Sequence, residues 1–157
     1  MGGPGVIDGK EHNETDNFLP CEFVIDGIKY SSAENYFQCA KTTNSEDREK
    51  ILNSGPGDEC RLAGQTVQLR PDWEAEKVNE MYKGNLAKFQ QNSDLKEALI
   101  QTGDSPITFT ESTPFWNHWN SLIMQRIRAE LRQNGDQDLK YVEEIRQAME
   151  KYSQENR

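Results

Sequence analysis

Glu22-Phe23-Val24-Ile25-Asp26-Gly27-Ile28-Lys29-Tyr30-Ser31-Ser32-Ala33-Glu34-Asn35-Tyr36-Phe37-Gln38-Cys39-Ala40-Lys41, residues 22–41, changes its period halfway, and that change decides the fold class. In residues 22–30, Asp26-Gly27 sits between two apolar or β-branched arms. Asp-Gly accepts the positive φ angles of a two-residue turn, so the segment predicts a β-hairpin. From Ser31 the pattern becomes helical. Ser31-x-x-Glu34 fits a capping box, in which Ser31 accepts from the N–H at 34 and Glu34 reaches back to the N–H of Ser31. The helix dipole also favours an acid in a first turn.

At about 100° per residue, Glu34, Gln38 and Lys41 fall in one narrow sector of the helix with Phe37 beside them. Ala33, Tyr36 and Ala40 form the opposite, buried stripe. A lysine beside an aromatic ring and away from water loses its proton more readily, which makes Lys41 a candidate Schiff-base nucleophile. A carboxylic acid there can protonate a leaving nitrogen or activate water. Glu34 therefore has two readings, cap and acid–base group. Lys41 also has two, solvated surface charge and nucleophile.

Helices are predicted through Ser45–Asn53, stopped by Ser54-Gly55-Pro56-Gly57, and through Asp58–Ala63, closed by Gly64. The longest helical signal runs from Pro71, in the first helical position, to about Gln91. It places Trp73, Lys77 and Met81 on one face and adds Val78, Leu86 and Phe89 to the core. Ser93–Thr102 is a shorter helix with Gly103 past its end. Pro106–Thr110 alternates as a half-buried strand should. The aromatic segment Pro114–Asn120, PFWNHWN, precedes a helix to about Arg132. A last helix, Asp138–Tyr152, carries Leu139, Val142, Ile145 and Met149 along one stripe. Few strands among many helices predict a predominantly helical α+β single domain with a small β-hairpin. Residues 1–16 read as a flexible leader, 17–132 as the domain and 133–157 as an appended C-terminal helix.

A chain of 157 residues suits one domain, and such domains bury about 70% of their unfolded surface. No apolar run is long enough to span a bilayer, and the N-terminus has neither the basic start nor the apolar stretch of a secretory signal. The expected location is intracellular, in the cytoplasm or the nucleus. The net charge of -9 disfavours salt-driven binding to long nucleic acid but allows a small anionic ligand held by a few local cations. Cys21, Cys39 and Cys60 lack metal-type spacing and read as reduced thiols. With His12 and His118 as its two histidines, the chain predicts no metal site and no cofactor. Trp73 and Lys77, at i and i+4, can form a wall that stacks a base and meets a phosphate, but the residues alone favour a core indole under a snorkelling lysine. Trp116, Trp119 and His118 read as core or structural residues.

Taken in order, these stretches resemble the YbiA/NADAR family of N-glycosidases from about Asn17 to Leu131. The resemblance is carried by Asn17-Phe18, Asp26-Gly27, Ser32-Ala33-Glu34-Asn35-Tyr36-Phe37-Gln38 with Lys41, Ala63-Gly64-Gln65, and Arg70-Pro71-Asp72-Trp73 with Lys77 and Met81. It continues through Lys88-Phe89, Leu95, Leu99, Thr102-Gly103-Asp104, Trp116 and Ile127-Arg128. It implies hydrolysis of a bond between a ribose carbon and a base-like nitrogen. The implied substrates are small molecules or nucleotides that contain ribose and phosphate: ADP-ribose on guanine, including ADP-ribosylated nucleic acid, or phosphoribosylamino-pyrimidine intermediates of riboflavin synthesis. The implied site has Glu34 and Lys41 at the scissile carbon, with Asn17, Phe18, Phe37, Gln38, Trp73, Lys77 and Trp116 around the substrate. Two mechanisms stay open, direct water attack assisted by Glu34 and a Lys41 Schiff base with Glu34 shuttling protons; the second is favoured for ADP-ribosyl-guanine. The chain departs from the family after Trp116, where Asn117-His118-Trp119-Asn120-Ser121-Leu122 replaces a Gly-rich, Asp-containing loop. That departure motivates a third reading, a non-catalytic binder of ADP-ribose-like ligands.

Overall fold

Two Asp-Gly turns open the computed structural model, which describes residues 2–157. Asp8-Gly9, at φ 53° and 77°, joins β1 (Gly5–Ile7) to β2 (Lys10–His12), and Asp26-Gly27, at 52° and 79°, joins β3 (Phe23–Ile25) to β4 (Ile28–Tyr30). Positive φ at both central residues is what lets a two-residue loop follow the strand twist. Val6 pairs with Glu11 in the first hairpin and Val24 with Lys29 in the second. The second hairpin is the expected one. The first lies where a leader was expected: Ile7 is buried in the core, and Gly3 N–H and Gly5 N–H donate to the Asp16 and Thr15 side chains at 3.0 and 2.7 Å.

Seven α-helices follow: α1 (Ala33–Ala40), α2 (Ser45–Leu52), α3 (Asp58–Ala63), α4 (Trp73–Gln91), α5 (Ser93–Ile100), α6 (Pro114–Arg132) and α7 (Gly135–Glu155). The fold is α+β and mostly helical, as predicted. Its centre is α1, whose eight residues are all buried between α4 on one side and α2 and α3 on the other. α6 pairs with α7, and both pack on α4. No helix among the described residues is long and apolar enough to cross a membrane.

Several local expectations shift. The α1 cap is Ser32, one residue later than the box read on Ser31 and Glu34: its Oγ accepts from Asn35 N–H at 3.1 Å and donates to Asn35 Oδ1. α4 begins at Trp73, because Arg70-Pro71-Asp72 is a turn clamped by Arg70 Nε and Nη2 donating to Asp72 at 2.6 and 2.9 Å. Pro106–Thr110 keeps its alternation, with Ile107 and Phe109 buried, yet pairs through a single bridge between Thr108 and Val6. The PFWNHWN segment is itself the start of α6: Thr113 caps Trp116 N–H at 3.2 Å, Pro114 takes the first turn, and no glycine interrupts residues 114–132. In α7, Ile145 and Met149 are buried as expected, whereas Leu139 is 67% exposed, because the buried face of α7 runs through Asp138, Ile145 and Met149 and Leu139 lies about 100° round the helix from it.

Candidate active site

The predicted catalytic residues converge on α1. Glu34 is its second residue, and its side chain has no exposed surface. Its backbone N–H donates to the Asn17 carbonyl at 3.0 Å, so the first turn is tied down through the main chain. The carboxylate meets two amides: Gln38 Nε2 donates to Oε1 at 2.8 Å, and Asn17 Nδ2 approaches Oε2 at 3.4 Å. An unexposed acid needs such donors, since burying a polar or charged group without partners costs several kcal/mol.

Lys41 follows two turns later, at the C-terminal cap of α1, half-buried and with Nζ 5.9 Å from the centre of the Phe37 ring. Burial pulls its pKa below the usual lysine value, while the negative charge of Glu34 pushes it part of the way back. The two groups therefore feel one another along the helix face, as the sector geometry requires.

Phe37 lies 5.1 Å from Trp73 and 5.3 Å from Trp116, the latter edge-on at 87°. All three rings are buried, and they form the apolar floor on which α1 rests. Lys77 is drawn toward α7: Nζ pairs with Glu74 at 2.8 Å and stands 4.5 Å over Phe115, whose ring touches Tyr152. Phe18 is half-buried and lines an open cleft of about 480 Å³ together with Arg61, Glu111 and Thr113. Among the described residues no group of His, Cys, Asp and Glu is placed to hold a metal ion.

A sequence profile of the NADAR domain matches residues 7–150. The chain belongs to the NADAR family. It is similar to the N-glycosidase YbiA of Escherichia coli, with 29% identity over 109 residues, covering 68% of each chain. An N-glycosidase of Nostoc punctiforme is 30% identical over 131 residues, 74% of this chain and 83% of that one. A riboflavin biosynthesis protein of Vibrio vulnificus is 28% identical over 141 residues, 83% of this chain and 38% of that one. The NMR structure of E. coli YbiA superposes with a TM-score of 0.63 at 28% identity, covering 77% of this chain and 76% of that one.

Two further residues of this NADAR chain shape the site without having been singled out for it in the sequence. Asn85 is buried on α4, and its Nδ2 donates to Asn17 Oδ1 and to the Met81 carbonyl, both at 3.0 Å. Engaging Asn17 Oδ1 turns the Asn17 NH2 toward Glu34 and Met81 Sδ. A polar residue one turn after Met81, on the apolar face of α4, was the available signal. Gly64 packs against the Gln38 amide; a Cβ there would lie 2.7 Å from Gln38 Cδ. Gly64 reads from sequence as a helix stop, and its close approach to Gln38 becomes visible only once α3 lies on α1.

Proposed function

We propose that the chain is an N-glycosidase that cleaves the bond between a ribose carbon and a ring or exocyclic nitrogen of a flat heterocycle, with ADP-ribosyl-guanine as its substrate. The observation that carries this reading is a lysine of lowered pKa two turns along one short helix from a fully buried glutamate. The names of the E. coli and Nostoc relatives support the reaction class.

Chemically, neutral Lys41 Nζ bonds to C1′ while the C1′–N bond to the base breaks, and Glu34 gives a proton to the departing nitrogen. The C1′–O4′ bond then breaks, one proton of the new ammonium passes to O4′, and the opened sugar is left as an iminium on Lys41. Water then adds to that carbon, Glu34 takes up the water's proton, and loss of the amine restores Lys41 and frees the ribose aldehyde. Phe18, at the cleft, offers a face for the base, and Lys77 a charge for phosphate. Asn17 and Gln38 act through Glu34 by holding its carboxylate in place, and Phe37, Trp73 and Trp116 form the dry floor that keeps Lys41 easy to deprotonate.

A second reading, the same chemistry on a phosphoribosylamino-pyrimidine, is favoured by the name of the Vibrio relative. Both are tested by incubating the protein with ADP-ribosylated guanosine and, separately, with the pyrimidine intermediate, and identifying products by mass. Borohydride is expected to trap a covalent sugar adduct on Lys41 in the parent, and Lys41→Ala to lose turnover by at least the roughly 10²–10⁴-fold typical of an acid–base group. Full activity in Lys41→Ala would sink the Schiff-base route; turnover of the pyrimidine alone would select the second substrate.

A further inference from the structure

The open cleft beside Phe18, of about 480 Å³, holds two side chains of opposite charge, Arg61 and Glu111. Small-ligand sites run from about 300 to 1,000 Å³, so one base fits. Chain connectivity ties the cleft to the catalytic pair. Phe18 follows Asn17, whose Nδ2 approaches Glu34 at 3.4 Å, and Arg61 follows Cys60, a buried thiol close enough to feel the charge of Glu34. Thr113, on the far wall, caps the helix that carries Trp116 onto Phe37.

The two charges are not paired with each other. Arg61 is 33% exposed and spends its Nε on Asp58 at 2.7 Å; among the described residues neither of its Nη groups has a partner. Glu111 is exposed and makes no hydrogen bond or ion pair among the described residues. Its carboxylate lies over Gly3, where an added Cβ would stand 3.2 Å from Oε2. Arg61 set against Asp58 and Glu111 leaves one net negative charge, which disfavours an anion here and suits a neutral ligand. Such a ligand is flat enough to stack on Phe18, accepts twice from the Nη pair along one edge, and donates along another to a carboxylate that can only accept. Guanine meets all three demands, with O6 and N7 accepting on one edge and N1–H and N2–H donating on another. Adenine carries a donor at N6 beside N7 and an acceptor at N1, so it suits neither side chain. An aminopyrimidinone keeps the donors and the carbonyl but has no N7.

We propose that Glu111 and Arg61 determine the base specificity of the reaction: guanine stacks on Phe18, Glu111 accepts from N1–H and N2–H, and the Arg61 Nη groups donate to O6 and N7. A sugar joined through N2 still leaves one N2–H for Glu111. The assignment rests on the N-glycosidase reading for the place of the departing base, and it selects guanine over the pyrimidine.

The test is an NMR titration of the isotope-labelled full chain with GMP, IMP, 7-deaza-GMP and AMP, which share ribose and phosphate and differ in the base alone. IMP lacks the N2 donors and 7-deaza-GMP lacks the N7 acceptor. GMP is expected to give saturable shifts at Phe18, Arg61 and Glu111 and to bind about tenfold more tightly than each of the others. Glu111→Ala should erase the preference for GMP over IMP and keep that over 7-deaza-GMP; Arg61→Ala should do the reverse. A merely structural role would weaken all four nucleotides alike. Should Arg61→Ala fail to fold, Glu111→Ala, on an exposed side chain, decides alone. Binding needs no cleavage, so the crossed pattern in a protein that turns over neither proposed substrate would uphold these contacts and sink the N-glycosidase reading alone. GMP binding no tighter than AMP or IMP in the parent, or a preference for GMP over IMP unchanged in Glu111→Ala, would each overturn the proposal.

Discussion

A methyl group on residue 64 would meet the Gln38 amide, with Cδ 2.7 Å and Cβ 3.0 Å away. Gln38 is fully buried, and its Nε2 is spent on Glu34, so moving aside would break that bond. Gly64→Ala is therefore expected to destabilise by about 1–3 kcal/mol, as overpacking does. It should also turn the Glu34 carboxylate and reduce turnover. In a Gln38→Ala background, where the obstructing amide is gone, most of the stability cost should vanish. A double-mutant cycle by urea denaturation reads that coupling, and additive costs would show that the strain lies elsewhere. Glu34 and Lys41 were legible in the sequence because their relation is a matter of spacing along one helix. The contributions of Gly64 and Asn85 were not, because each depends on which helix lies opposite.

Among the elements, Asp26-Gly27 announced its hairpin because both arms are apolar, whereas Asp8-Gly9, with the same turn chemistry, did not. The second arm of that earlier hairpin, Lys10-Glu11-His12, is polar and mostly solvated, so no alternation marks it, and burial of Ile7 on the other arm has no counterpart there. The start of α6 is hard to read for the opposite reason: an aromatic run suits a core segment of any conformation, and the Thr113-Pro114 cap is what makes it helical. The α6–α7 connection has its own lock. Asp138 accepts from Asn134 N–H at 2.9 Å and from both branches of Arg132, which also donates to the Gly103 carbonyl at 2.8 Å. The Arg132 bond holds the Asp138 carboxyl below the usual carboxylate range, so the stabilisation is present at neutral pH and is lost as pH falls through that lowered value. Asp138→Ala is expected to cost about 1–3 kcal/mol. At roughly 2–4 °C per kcal/mol for a chain of this size, the loss is readable by calorimetry. A melting temperature equal to that of the parent would show that the packing of α7 does not depend on this lock.

Across the whole molecule the acids lie mostly outside, while a cation sits at the centre. Lys88 has no exposed surface; its Nζ donates to the Asp16 carbonyl at 3.0 Å and lies 5.1 Å from the Phe89 ring, linking α4 to the end of the first hairpin segment. Burial pulls its pKa down to about 8 from the ordinary 10.5, against the opposing charges of Cys21, Asp16 and Glu14. Below about pH 8 the lysine is charged in both states, and the full cost of burying that charge is carried by the fold. Between about 8 and 10.5 the unfolded chain holds the proton more tightly than the folded one, so stability rises with pH, by up to about 1.4 kcal/mol per pH unit from this group. Above 10.5 both states are neutral and the contribution is constant. Lys88→Met keeps the length of the side chain and removes the titration. The measurement is urea unfolding from pH 7 to pH 10, in a Cys21→Ser background so that the facing thiol does not titrate with it. The remaining Tyr and Cys groups are shared by parent and variant and drop out of the difference. Parent stability should gain on the Lys88→Met variant as pH rises past about 8, and a difference that stays flat to pH 10 would mean that the buried ammonium is compensated in the fold.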